Sequence, residues 1–219
     1  MSTIYLSSNA NIILQNYLES QGHHLILIED TGDVYPEVAT HPDIYMCKLG
    51  ADPGDPVFHE EGQLGLGYKY PENVKYNAVC MGYNFIHNLK YTAPALLDKI
   101  QQLGYKTIHV KQGYTKCNMI VINNYAAITS DEGIYKYVNN HINVLLIKPG
   151  YVKLGNFPYG FLGGASGRVG NEIIFNGNLK SHPDYRKISD FITLQNLKIK
   201  YFEEYPLEDI GSIIEWRDK

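Results

Sequence analysis

The chain lacks a stretch of about 20 apolar residues, the length a bilayer-spanning helix needs, and it lacks any run rich in Lys or Arg. The first absence argues against a membrane protein. The second, with 19 basic and 23 acidic residues and a net charge of -4, argues against a nucleic-acid footprint. The N-terminal MSTIYLSSNANIILQ has neither a basic n-region nor an apolar signal core, so a cytoplasmic location is expected. Cysteine is scarce. Cys47, Cys80 and Cys117 are odd in number and have no Cys-x-x-Cys spacing, which excludes a disulfide framework and a zinc knuckle. HEEG at 59–62 lacks the second histidine of a zinc-peptidase helix, and no Gly-x-Ser-x-Gly elbow occurs. The glycine-rich GFLGGASGRVG at 160–170 has no Walker lysine and follows a loop instead of opening a helix. No metal site and no cofactor are therefore expected.

Periodicity is what the chain does have. Helical spacing predicts helices in NANIILQNYLESQG, with Ile12, Ile13, Asn16, Tyr17 and Leu18 towards one face. It predicts others in TAPALLDKIQQLGY, capped by Thr92, in SDEGIYKYVNNH, and in SHPDYRKISDFITLQN, capped by Ser181 with His182 solvated. A short apolar strand follows each one: 25–29, 107–110, 143–147 and 197–202. Each strand leads through a loop into a second apolar segment: HPDIYMCKLG, TKCNMIVINN, RVGNEIIFNG and LEDIGSIIE. Aligning these places Asp43, Asn118, Asn171 and Asp209 in one register. Asn123-Asn124 and Asn176-Gly177 read as tight turns, and 77–88 reads as the partner strand of 44–49. The last unit lacks a closing strand, and TIYLSS at the N-terminus lacks a partner, so the two are expected to pair and hide an edge. A unit recurring at tens of residues signals a repeat architecture in which each unit buries its face on the next. Residues 1–219 are read as one domain. The Gly-, Pro- and acid-rich insert at about 50–76 is read as a lid, a partner-contact loop or a surface excursion.

The order of these units resembles the pentein propeller, the fold of arginine deiminases, dimethylarginine hydrolases and amidinotransferases. HPDIYMC looks like the His-x-Asp and apolar strand that carry the catalytic histidine there, and FLGGASGRVGNEIIFNG is loosely similar to their Gly-Gly-rich lead into a strand. The chain also resembles an uncharacterised bacterial family with that fold. The resemblance implies an α/β propeller of about four to five strand-helix-strand-strand modules around a pseudo-axis, and an activity on guanidino groups. One departure matters. Those enzymes carry their nucleophilic cysteine in the last module, where this chain has EDIGSIIE, with Ser212 near the place and no cysteine.

In such a propeller the module lead-ins converge on a central mouth. That would gather His41, Asp43, Lys116, Cys117, Asn118, Arg168, Asn171 and Asp209. Cys117 beside Lys116 could serve as a nucleophile with His41 as acid/base. Asp43 and Asp209 could hold a cationic group through charge-assisted hydrogen bonds, and Arg168 an anionic one. A structural reading stands beside this: Cys117 as a small buried apolar residue, and the Asp/Asn register as local backbone caps. The functional expectation is a hydrolase or transferase acting on a small guanidino or amide compound. The alternative is a non-catalytic binding or assembly protein that uses the same mouth for a small polar molecule. A ribosome-associated role is disfavoured by the acidic balance.

Overall fold

The computed structural model of the chain describes residues 1–60, 62 and 64–217. The fold is mixed α/β, with five small sheets and six α-helices among the described residues. In chain order the elements are β1 (Thr3–Ser7), α1 (Ile12–Ser20), β2 (His24–Ile28), the single turn α2 (Pro42–Tyr45), β3 (Cys47–Lys48) and β4 (Val57–Phe58). Next come β5 (Val79–Met81), β6 (Asn84–His87), α3 (Pro94–Gln102), β7 (Lys106–His109), the single turn α4 (Thr115–Asn118), β8 (Met119–Val121), β9 (Ala126–Thr129), α5 (Glu132–Val138) and β10 (Asn143–Leu146). The chain ends with β11 (Ser166–Val169), β12 (Glu172–Phe175), α6 (Tyr185–Thr193), β13 (Lys198–Lys200) and β14 (Ile214–Trp216).

Four sheets share one plan. An inner strand pairs antiparallel with a middle strand, and the middle strand pairs parallel with an outer strand across a helix. The parallel pair requires the crossover helix. Each crossover helix buries two apolar residues four apart: Leu14 and Leu18, Leu96 and Ile100, Ile134 and Val138, Ile188 and Ile192. That spacing puts both on the face towards the sheet. At roughly 1.5–3 kcal/mol per buried side chain, these pairs are the principal anchors of the helices. In α1 the inward face differs from the expected one, since Ile12 is 62% exposed.

The terminal strands pair as expected: β1 lies antiparallel to β14, in register Thr3↔Trp216. Three other expectations are corrected. Segment 77–88 forms its own hairpin, β5–β6, through Gly82-Tyr83, and β3 pairs with β4 from the insert. The β11–β12 turn is at Gly170-Asn171, one hairpin earlier than Asn176-Gly177. Helix α6 begins at Tyr185 with Asp184 at its N-cap position, after a 3₁₀ turn at Leu179–Ser181, and His182 is buried, 3% exposed.

The five inner strands β3, β5, β8, β11 and β14 line one narrow cavity of about 40 Å³. Their lead-in turns are joined by backbone hydrogen bonds: Asp43 N to Gly211 O, Ser212 N to Gly164 O, Gly164 N to Cys117 O and Lys116 N to Asn77 O. These contacts bring distant parts of the sequence together at one point.

Candidate functional site

His41 is the N-cap of α2, and Pro42 at the first helical position fixes the helix start while His41 stays extended, at φ -76° and ψ 117°. Asp43 follows in the first turn and is fully buried. Cys117 is on α4, 2% exposed. The Asn77 side-chain oxygen accepts from Lys116 N at 2.8 Å and Cys117 N at 3.2 Å, which caps α4 from outside the helix. Asn77 Nδ2 donates to Cys117 Sγ at 3.3 Å.

These turns bring the polar groups together. Cys117 Sγ donates to Asp43 Oδ2 at 3.0 Å. Ser212 Oγ donates to the same oxygen at 2.8 Å, and Lys116 Nζ donates to Ser212 Oγ at 2.9 Å. His41 Nδ1 is 3.8 Å from Asp209 Oδ1. One donor atom each from His41, Asp43 and Cys117 lies within 4.8 Å of the others. Ser212 holds φ +75°, in the left-handed region where a non-glycine residue is strained. Glycine is needed beside the cluster: a Cβ on Gly164 would sit 1.9 Å from Asp209 Oδ1, and one on Gly211 2.1 Å from His41 Cβ.

Burial sets the resting electrostatics. It pushes the Cys117 thiol well above its ordinary pKa, and the Asp43 and Asp209 carboxylates add to the rise. Burial also raises Asp209, against the opposing pull of His41, and lowers Lys116. The cysteine at rest is therefore a thiol that donates to a carboxylate. Outside the cluster, His41 and Asp209 line an open surface pocket of about 270 Å³ whose carboxylates are Glu37, Glu208 and Asp209.

Of the residues expected at the mouth, His41, Asp43, Lys116, Cys117 and Asp209 meet. Three do not. Asn118 turns back on its own helix, donating to Tyr114 O at 2.9 Å. Arg168 is held by Asp52 Oδ1 at 3.1 Å and by the carbonyls of Ala51 and Ile122. Asn171 is exposed in the β11–β12 turn. The misplacement of Asn171 follows from the hairpin boundary: 171 opens a middle strand and precedes no inner one. Asp209 serves both readings, because its carboxylate also accepts from Phe161 N and Gly211 N. Asn77 and Ser212 complete the cluster. The signal for Asn77 was present, since Asn77-Ala-Val-Cys-Met leads into an apolar strand as Asn118-Met-Ile-Val does. The insert is no mere excursion: beyond β4, its C-terminal end brings the chain to buried Asn73 and Asn77, and Asn73 Nδ2 donates to Tyr114 Oη at 2.8 Å.

The chain matches a family of unknown function, DUF6873, over residues 57–214. Cys117, Asn77, Asp209 and Ser212 lie inside the matched span, and His41 and Asp43 precede it. No curated protein and no solved structure matches.

Proposed function

The chain belongs to DUF6873, and for this member we propose a covalent chemistry centred on Cys117, acting on a small cationic guanidino or amidino compound. The reading includes a fold proposal: a pentein-type propeller of five modules, the fifth completed by β1 and β14. It is supported by the shared plan of four sheets, the common cavity and the hydrogen-bonded lead-ins. The observation that carries the function is the convergence of His41, Asp43 and Cys117, donor atoms within 4.8 Å, beneath a pocket whose charged lining is largely carboxylate.

The chemistry follows from the charges. A guanidinium held by Asp43 and Asp209 brings a positive charge beside a thiol that carboxylates keep protonated, and so lowers the cost of the thiolate. The Cys117 sulfur attacks the guanidinium carbon, and the C–N bond to the leaving amine breaks. His41 carries the thiol proton to that amine. Water then adds to the carbon, the S–C bond breaks, and the net reaction is hydrolysis to a urea and an ammonium ion. Ser212 Oγ, itself held by Lys116 Nζ, donates to Asp43 Oδ2 and fixes the carboxylate in place. Asn77 orients the sulfur.

The test is incubation with a panel of guanidino and amidino compounds, following ammonia release and the mass of the Cys117 peptide. Turnover with a transient adduct on Cys117 is expected. Ligand-induced thermal stabilisation that persists in Cys117→Ser, with neither turnover nor adduct in the native chain, would overturn the covalent step. It would instead favour the second reading, a binding protein without chemistry, to which the low exposure and raised pKa of Cys117 point.

A further inference from the structure

We propose that His41, Asp43 and Cys117 form a binding site for one divalent transition-metal ion of the zinc type. The inference uses residues of the proposed reaction, but it does not depend on any substrate.

Geometry comes first. Three side chains of different chemistry, all buried, each place a ligand atom within 4.8 Å of the other two. An imidazole nitrogen, a carboxylate oxygen and a thiolate sulfur are together a borderline-soft set. It suits zinc or cobalt(II) and does not suit magnesium or calcium, which take oxygen ligands. Three protein ligands with a fourth position left over match the open type of tetrahedral site.

A second observation is independent of the cluster's composition. Buried polar atoms almost always have hydrogen-bond partners. Yet His41 Nδ1 and Asp43 Oδ1 find none among the described residues, although the two residues are 3% and 0% exposed. Two of the three clustered residues therefore each carry a buried polar atom without a hydrogen-bond partner. A cation would satisfy both and take the sulfur as third ligand.

The surroundings fit a metal site in a further way. Ligands are usually oriented by groups one shell out. Here Asn77 Nδ2 contacts Cys117 Sγ at 3.3 Å, and Ser212 Oγ contacts Asp43 Oδ2 at 2.8 Å. Asp209 lies 3.8 Å from the His41 ring and adds negative charge, against the single ammonium of Lys116. Of the three ligands, His41 lines an open surface pocket, which is the side from which an ion would enter. On binding, the metal–sulfur bond forms and the thiol proton leaves to solvent, so affinity rises with pH. The ion would take Asp43, which the covalent reading assigns to the substrate, so metal and substrate compete for the same groups.

The experiment uses the full chain, freed of metal by a chelator and titrated with cobalt(II) and then zinc. One cobalt per chain is expected, with a sulfur-to-cobalt charge-transfer band that zinc abolishes. Cys117→Ser should lose the band, and Asn77→Ala should weaken binding by about 10–100-fold. Should Cys117→Ser fail to fold, thiol protection in the native chain decides: zinc must shield the Cys117 peptide from alkylation after brief exposure. Absence of a stoichiometric cobalt band would overturn the inference. So would a band that survives in folded Cys117→Ser, or a Cys117 alkylated equally fast with and without zinc. Failure here leaves the covalent reading intact, because that reading is tested by ammonia release and a Cys117 adduct, neither of which reports metal.

Discussion

The tripeptide His-Pro-Asp occurs twice, at 41–43 and 182–184, and in both copies the His and the Asp are buried beside a helix start. Their hydrogen bonding differs. His182 Nε2 donates to Lys148 O at 3.1 Å and its Nδ1 accepts from Asp184 N at 3.1 Å. Asp184 accepts from Lys148 N at 2.8 Å and pairs with Lys187 at 3.1 Å. Every polar side-chain atom of that copy has a partner within the fold. In the first copy, His41 Nδ1 and Asp43 Oδ1 have no hydrogen-bond partner among the described residues, and Asp43 Oδ2 takes a thiol and a hydroxyl from two distant turns. Identical residues thus form a structural joint in one place and a chemically available cluster in the other. What separates them is the company each keeps.

The largest expected effect tests that contrast on turnover. If the proposed reaction is right, His41→Ala lowers kcat by about 10²–10⁴-fold, the span typical of a lost general acid/base. His182→Ala should leave kcat within about twofold, since no step assigns it a proton; steady-state assays of ammonia release compare them. Next in size is a third buried histidine. His87 is bonded to Thr92 Oγ1 at 2.6 Å and Gly113 O at 3.0 Å, and burial pushes its pKa down to about 4. The neutral ring is the native form. Stability is therefore complete above the unfolded pKa near 6.5 and is lost as pH falls towards 4, by about 3 kcal/mol in all. Denaturant unfolding across that pH range should show the loss, and His87→Gln should flatten it.

A smaller effect reverses the roles of the two triplets. His182→Ala should cost about 1–3 kcal/mol by leaving buried backbone groups unsatisfied, while His41→Ala should cost less than about 1 kcal/mol in hydrogen bonding. Urea midpoints of the two variants compare these directly. Smallest of all, Asp43→Asn should speed Cys117 alkylation by iodoacetamide at pH 8, because one of the carboxylates holding the thiol protonated is gone. A slower reaction would mean that Asp43 does not face the sulfur in solution.

Much of this was legible in the chain. The helices and the strands after them carry plain periodicity and stop signals, and the pairing of TIYLSS with the C-terminal segment followed from one unit lacking a strand and one strand lacking a unit. Cys117, His41, Asp43 and Asp209 were legible as a group because each leads into an inner segment. Asn171 was misplaced because RVGNEIIF holds two short strands that read as one, and periodicity cannot find a two-residue turn inside an apolar run. His182 reads as solvated in the sequence because its partner, the Lys148 carbonyl, lies 34 residues away and leaves no mark on local sequence. Ser212 was noticed only for what it is not. Its positive φ and its bond to Asp43 exist only once distant turns meet.

One pairing described above has a consequence in time. β1 is made long before its antiparallel partner β14, and long before Gly211 and Ser212 just ahead of it. The Asp43 backbone N–H finds its acceptor, the Gly211 carbonyl, only when Gly211 is in place. A nascent chain can therefore fold most of its sheets on the ribosome and still hold no assembled site. The cluster cannot close until both strands of the pair have left the tunnel.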